Sequence, residues 1–422
     1  MPHQIEITVQ APLREGSRAS LDALLARIRT EGYGAGALLA FADLTAVHFA
    51  RVFVLDEVVD PDGAVIPASL VLMCDADAPL RNRLAELGSL RGLDELLSHC
   101  RDYPAEPSPP VRLAWLREHR VRAVAYYVHR VGRSRQQVVA EQRLRSELED
   151  MLDAPGALDG EKTPSGMHRR LREAVAARSD LSWACSPAAR PSLWFRVREA
   201  VHLVAVPAAL LVLAPVLVPV ALVALVLIRL HERRDVAESG PVDLGHSQAV
   251  QRYEDFGAQN PFTAVGFVKP GLLRHATMRT VLLAIDYASR HLFNRDNLAG
   301  VRSIHFARWV SLDGGRRVVF ASSYDGSQES YMDDFIDRLA WGLNAAFSNG
   351  VGYPKTRWLF RGGAKDEVTF KHYLRSHQVP TSVFWSAYDR VPAPQVDAAS
   401  RLREELGRPL DDDQAARWLA LL

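Results

Sequence analysis

The chain repeats itself. Residues 47–56 read VHFARVFVLD and residues 304–313 read IHFARWVSLD, so the tetrad His-Phe-Ala-Arg recurs with Leu-Asp at the same distance beyond it. Residues 70–77 (LVLMCDAD) then match residues 318–325 (VVFASSYD). Gly92-Leu93, Ser98 and Tyr103-Pro104 match Gly342-Leu343, Ser348 and Tyr353-Pro354 at equal internal spacing. The run LREHRV from Leu116 matches LRSHQV from Leu374. Four blocks in one order mark an internal duplication. A duplication limits the chain to folds built from two related units.

The pattern within each unit predicts the same elements. In copy one, Ile5, Ile7 and Val9 alternate with Gln4, Glu6 and Thr8, the period of a half-buried strand. A helix follows at 21–29, strands at 47–55 and 69–75, a helix at 79–98, a short helix at 111–119 and a strand at 121–128. In copy two the spacing predicts a strand at 263–268 and a helix at 272–293. Strands at 303–312 and 316–322 follow, joined through Gly314-Gly315. Helices at 328–347 and 366–377 then lead to a strand at 381–388. Each copy reads βαββαβ, the ferredoxin-like unit, whose antiparallel sheet carries helices on one face. The open sheet faces must be covered. The expected fold is therefore α+β, an intrachain pseudo-dimer of the dimeric α/β barrel kind. The expected organisation is copy one at 1–133, a helix and polar linker at 134–195, a membrane segment with basic flanks at 196–235, copy two at 236–395 and C-terminal helices at 396–422.

Residues 203–228 contain no charged side chain, which exceeds the roughly 18 apolar residues that mark a membrane segment. Pro207, Pro215 and Pro219 interrupt the run; Arg196 and Arg198 precede it, and Arg229, Arg233 and Arg234 follow. Trp194 and Phe195 suit the membrane interface. The copies can pair within one chain only if both lie on one side of the bilayer. The expectation is a re-entrant hairpin folded at Pro215, with both copies cytoplasmic and membrane lipid as a partner. The alternative is a single span, with pairing supplied by a second chain in a homo-oligomer. Lys and Arg number 51 against 50 Asp and Glu, so no basic field points to nucleic acid. Cys74, Cys100 and Cys185 form no disulfide framework or zinc-finger spacing.

His48 and His305 occupy the same place in the two copies. On a regular strand each shares a face with the following Ala, and Phe shares the other face with Arg. Each histidine is either a ligand or acid/base group in a pocket between sheets, or a hydrogen-bonded structural residue. Arg51 and Arg308 are expected to pair with Asp56, Asp313 or other carboxylates. The run Ser322-Ser323-Tyr324-Asp325-Gly326-Ser327 closes a strand and opens a helix, so Asp325 or Ser327 is a cap, or Asp325 is a buried acid.

A duplicated ferredoxin-like chain with an Asp-Gly turn resembles the dye-decolorising peroxidases, haem enzymes of the dimeric α/β barrel class. The resemblance covers the topology of about two-thirds of the chain. The family's turn reads Gly-x-x-Asp-Gly; here Ser322 stands for the first Gly, and copy one has Asp77-Ala78. The resemblance implies Asp325 as the distal acid of a haem-dependent oxidoreductase, with Arg308 stabilising developing charge. The motif places no proximal haem ligand, and His305 and His377 are the candidates. The function expected from these readings is a membrane-attached protein that binds an apolar or lipid-derived small molecule. It is either a haem-peroxidase-like enzyme or a non-catalytic binding or assembly module.

Overall fold

The computed structural model describes residues 3–155, 161–238, 242–255, 257–293 and 297–422. Part of the polar linker expected at 154–166 lies outside these residues. The first copy supplies β1 (Gln4–Pro12), α1 (Arg18–Glu31), β2 (Val47–Leu55), β3 (Ser69–Asp77), α2 (Leu80–Gly88) and β4 (Ala123–Val128). Then come α3 (Arg135–Asp153), α4 (Pro164–Ala177) and α5 (Leu193–Glu232). The second copy supplies β5 (Gln259–Phe267), α6 (Leu272–His291), β6 (Ile304–Leu312), β7 (Arg317–Asp325), α7 (Gln328–Phe347), α8 (Glu367–His377) and β8 (Val383–Ser386). Helices α9 (Ala393–Leu406) and α10 (Asp412–Leu419) end the chain. The helix expected over 79–98 is split, because Gly92 takes φ 79° and starts a separate turn at Leu93–Leu97. Its left-handed backbone has no place in a continuous right-handed helix.

Two four-stranded antiparallel sheets form, in the orders β1-β3-β2-β8 and β5-β7-β6-β4. The last strand of each copy lies in the sheet of the other. Strand β8 sets Phe384 opposite Arg51 on β2, and β4 sets Tyr127 opposite Ala307 on β6. Each last strand starts beside its own copy and then crosses. Gln10 N donates to His119 O at 3.0 Å and Val121 N to Thr8 O at 2.9 Å before β4 leaves for the second sheet. Val379 N likewise donates to Thr263 O at 2.8 Å before β8 leaves for the first. These bonds stitch the two sheets together at both seams.

Alternation along the strands sorts the side chains into layers. Phe53, Leu55, Val71 and Met73 face Val310, Leu312, Val319 and Ala321 across the space between the sheets. The outer faces carry Ile7, Val9, Val52 and Leu72 in one half, and Phe262, Trp309 and Phe320 in the other, beneath the helices. A separate helical core joins α3 and α4 to the C-terminal helices through Leu144, Leu148, Leu171, Leu402 and Trp418. Segments far apart in the chain thus share one small core.

Helix α5 is one continuous helix of 40 residues with Pro207, Pro215 and Pro219 inside it. The hairpin expected at Pro215 is not formed. A proline removes one donor and kinks a helix; here the helical path continues through all three. Both ends of α5 dock on the same body. At the start, Phe195 stacks on His3 at 4.4 Å, His202 Nδ1 lies 2.8 Å from His291 Nε2, and Tyr287 donates to Leu203 O at 2.9 Å. At the end, buried Glu232 accepts from Thr356 Oγ1 at 2.8 Å, Trp358 N at 2.9 Å and Leu359 N at 2.8 Å. Between these anchors the helix is bare: Leu211 and Val212 are each 77% exposed. The helix is long and apolar enough to cross a membrane.

Candidate functional site

Strands β2 and β6 each carry an irregularity at the histidine. The register shifts between Val47 and Phe49, and again between Ile304 and Phe306. A bulge inserts a residue and re-aims side chains. His48 and Phe49 therefore both reach the space between the sheets, against the regular alternation expected. His48 lies 5.3 Å from Phe306 and Phe49 lies 5.2 Å from His305, ring centre to ring centre.

Each histidine meets the aspartate that ends the neighbouring strand. His48 Nε2 is 3.1 Å from Asp77 Oδ1, and His305 Nε2 is 2.7 Å from Asp325 Oδ1. The second carboxylate oxygen accepts a main-chain N–H at a helix start: Arg135 N at 2.9 Å for Asp77, Ala393 N at 2.7 Å for Asp325. Asp325 thus caps α9, whereas α7, which follows its own turn, is capped by Ser327. Tyr388 OH sits 3.0 Å from His48 Nδ1, and burial pushes that phenol well above its ordinary range. A carboxylate only accepts, so a hydrogen bond from His48 to Asp77 needs the proton on Nε2, which leaves Nδ1 to accept from the Tyr388 hydroxyl. A third pair, His129 Nε2 with Asp397 Oδ2 at 2.7 Å, ties β4 to α9. These enclosed pairs lock helix starts onto strand ends. Asp325→Ala leaves His305 and the Ala393 N–H without their acceptor, so it is expected to cost about 2–4 kcal/mol, and Asp77→Ala a similar amount. Urea midpoints check this; an unchanged midpoint removes the anchor role.

The two arginines of the repeat cross the space between the sheets. Arg308 donates to Ile7 O at 2.9 Å and Cys74 O at 3.0 Å, and pairs with the Asp75 carboxylate. Arg51 donates to Phe262 O at 2.9 Å, Ser322 O at 2.8 Å and Ser323 Oγ at 2.7 Å. The pattern is the same, but Ser323 stands where the first copy has Asp75. Burial pulls the Arg51 guanidinium down to about 10. The expected partners go elsewhere: Asp56 pairs with Arg18 and Asp313 with Arg317. Arg308 is accordingly a link between sheets, with its contacts on β1 and β3.

The second half holds an apolar cavity of about 330 Å³. Helix α6 lines it with Ala284, Ile285 and Ala288, and the outer face of the second sheet with Trp309 and Phe320. Helix α7 breaks at Leu339, where φ is −130° and ψ 17°, and both Leu339 and Gly342 line the cavity there. Trp341 and Phe360 stand at the rim, 55% and 46% exposed. Helix α6 also carries Tyr287 and His291, the residues on which the start of α5 rests. Trp309 is buried, Trp341 is exposed, and both line this cavity.

His377 lies apart, on α8. Its Nδ1 is 2.9 Å from Tyr373 O, and burial lowers its pKa. Of the four residues singled out, the structure brings together His305 and Asp325; Arg308 and His377 belong to other contacts. His377 lines a cavity of about 580 Å³ with His246 and Tyr253, apart from His305 and Asp325. Among the described residues, no His, Cys, Met or Tyr lines the apolar cavity to ligate iron. His305 is committed to Asp325 and packed against Phe49. No group of three His, Cys, Asp or Glu side chains suited to a metal ion occurs among the described residues. Comparison of the chain with protein-family models, curated proteins and solved structures finds no match.

Proposed function

We propose that this chain is a membrane-attached, non-catalytic binding protein. Its body is a pair of ferredoxin-like halves, each completed by the last strand of the other. The ligand is an apolar or lipid-derived molecule held between α6, α7 and the second sheet. The observation that carries this reading is the cavity itself: apolar walls, a helix break beside it and an aromatic rim. Such a concave, largely preformed, apolar space is what small-molecule sites are made of. Attachment runs through α5, lying along the membrane with both ends on one body, so both copies sit on one side, the cytoplasmic one by the basic flanks. Pairing is met within one chain, and no second copy is needed for it.

The test uses the detergent-purified full chain and a brominated fatty acid, read by quenching of tryptophan fluorescence. Ala284→Phe fills the cavity from a helix position and is expected to weaken quenching about tenfold or more while the melting temperature holds. Equal quenching in the variant ends the cavity reading. The haem-peroxidase alternative rests on the Asp325–His305 contact at the Asp-Gly turn. It ranks second because both Asp325 oxygens are already engaged. A Soret band in folded, haem-supplemented protein that is lost in His305→Gln reverses that order.

A further inference from the structure

A second cavity, of about 520 Å³, lies at the root of α5. Its walls come from the start of β1, the strand β4, the first turns of α5 and the last turns of α6. Four arginines line it (Arg120, Arg196, Arg198 and Arg290) against three carboxylates, Glu6, Glu199 and Asp286. The carboxylates are matched: Glu6 lies 2.9 Å from Arg120, Glu199 2.8 Å from Arg198 and Asp286 3.0 Å from Arg290. Arg196 has no carboxylate within ion-pair distance among the described residues, which leaves one net positive charge. Burial raises the pKa of both Glu6 and Asp286.

The cleft also holds polar groups that the protein leaves unused. Ser289 is 3% exposed and its Oγ has no partner; His3 Nδ1 and Arg120 Nε are buried and unpaired as well. Buried polar atoms without partners are uncommon in a folded protein. The apolar part of the wall includes Phe195, Ala200 and Leu203, and the bare stretch of α5 begins at Leu203. Trp194, 74% exposed, stands beside it. Arginines and donors therefore share the cleft with apolar residues, and Arg198 lies 5.2 Å over the Phe195 ring.

We infer that this cleft binds a phosphate monoester, as a phospholipid headgroup or a free phosphate ester, with Arg196, Ser289 and His3 as its contacts. The bidentate geometry of arginine suits phosphate oxygens. Ser289 lines both this cleft and the apolar cavity, whereas Arg196 and His3 line the cleft and not that cavity; the lipid source of the phosphate rests on the membrane reading.

Three probes are titrated into the detergent-purified full chain: glycerol 3-phosphate, dihexanoyl phosphatidic acid and dihexanoylglycerol. Binding of both phosphates marks a site for the ester itself. Binding of phosphatidic acid alone marks a lipid headgroup. In either case Arg196→Glu is expected to weaken binding about tenfold or more and Ser289→Ala to weaken it less. Arg196 is exposed, so the reversal leaves the fold intact, checked by melting temperature. Equal binding of dihexanoylglycerol and phosphatidic acid, binding of no phosphate probe, or indifference to Arg196→Glu overturns the site. These assays need no bilayer, so their failure is distinct from failure of membrane attachment.

Discussion

Replacing Leu211 and Val212 together with arginine is expected to move the protein from the membrane pellet to the soluble fraction. Both side chains are 77% exposed, so the double change removes no internal packing. A helix lying along the membrane is held by the apolar area it buries, about 1.5–3 kcal/mol for each Leu or Val side chain, so exchanging two for arginine removes about 3–6 kcal/mol of attachment. That is a shift of roughly two to four orders of magnitude in partition. Fractionation after a high-salt wash reads it, with the melting temperature as the control for folding. Retention of the double variant in the pellet sinks attachment through α5. The same helix carries a topological expectation. Its start is held by His3 and His291 and its end by the segment Thr356–Leu359. A straight transverse span would place these anchors on opposite faces of the bilayer. In intact cells a membrane-impermeant thiol reagent is therefore expected to spare cysteines introduced at exposed positions in both copies, with Cys185 replaced beforehand.

The repeat was legible because it lives in the order of short blocks, and His-Phe-Ala-Arg fell on β2 and β6 as read. Strand exchange was not legible. Alternation in residues 123–128 says which side chains share a face, whereas the choice of partner edge depends on main-chain bonds at residues 119–121. The histidine bulges were hidden for a related reason. His48 and His305 sit in patterns that read as regular strands, and only the opposing strand reveals the extra residue. Asp325 was recognised as cap or acid, but the helix it caps lies almost seventy residues further along the chain, at Ala393. The long helix was plain from its hydropathy. Its docking was not, since Glu232 reads as one more polar flank until the three donors from Thr356, Trp358 and Leu359 are in place. The two cavities have no local motif, because each is assembled from elements that meet only in the fold.

The near-symmetry of the two buried arginines yields the second large effect. Arg308 and Asp75 are each 3% exposed and face each other, with Tyr126 donating to Asp75 at 3.0 Å. Removing one partner of a buried ion pair strands the other charge in a poorly solvating interior. Asp75→Ala is therefore expected to cost about 3–5 kcal/mol. The matched change in the other copy, Ser323→Ala, removes one neutral acceptor from Arg51. That guanidinium keeps the Phe262 and Ser322 carbonyls, so the expected cost is nearer 1–2 kcal/mol. The double variant Arg308→Met with Asp75→Leu removes both charges and is expected to recover most of the Asp75→Ala loss, since an apolar pair can replace a buried ion pair at little cost. Urea unfolding of the three variants tests the argument directly. Equal losses in Asp75→Ala and Ser323→Ala would mean that the carboxylate adds nothing to the carbonyl and hydroxyl acceptors the two copies share. The first copy would then hold its arginine by the same neutral contacts as the second.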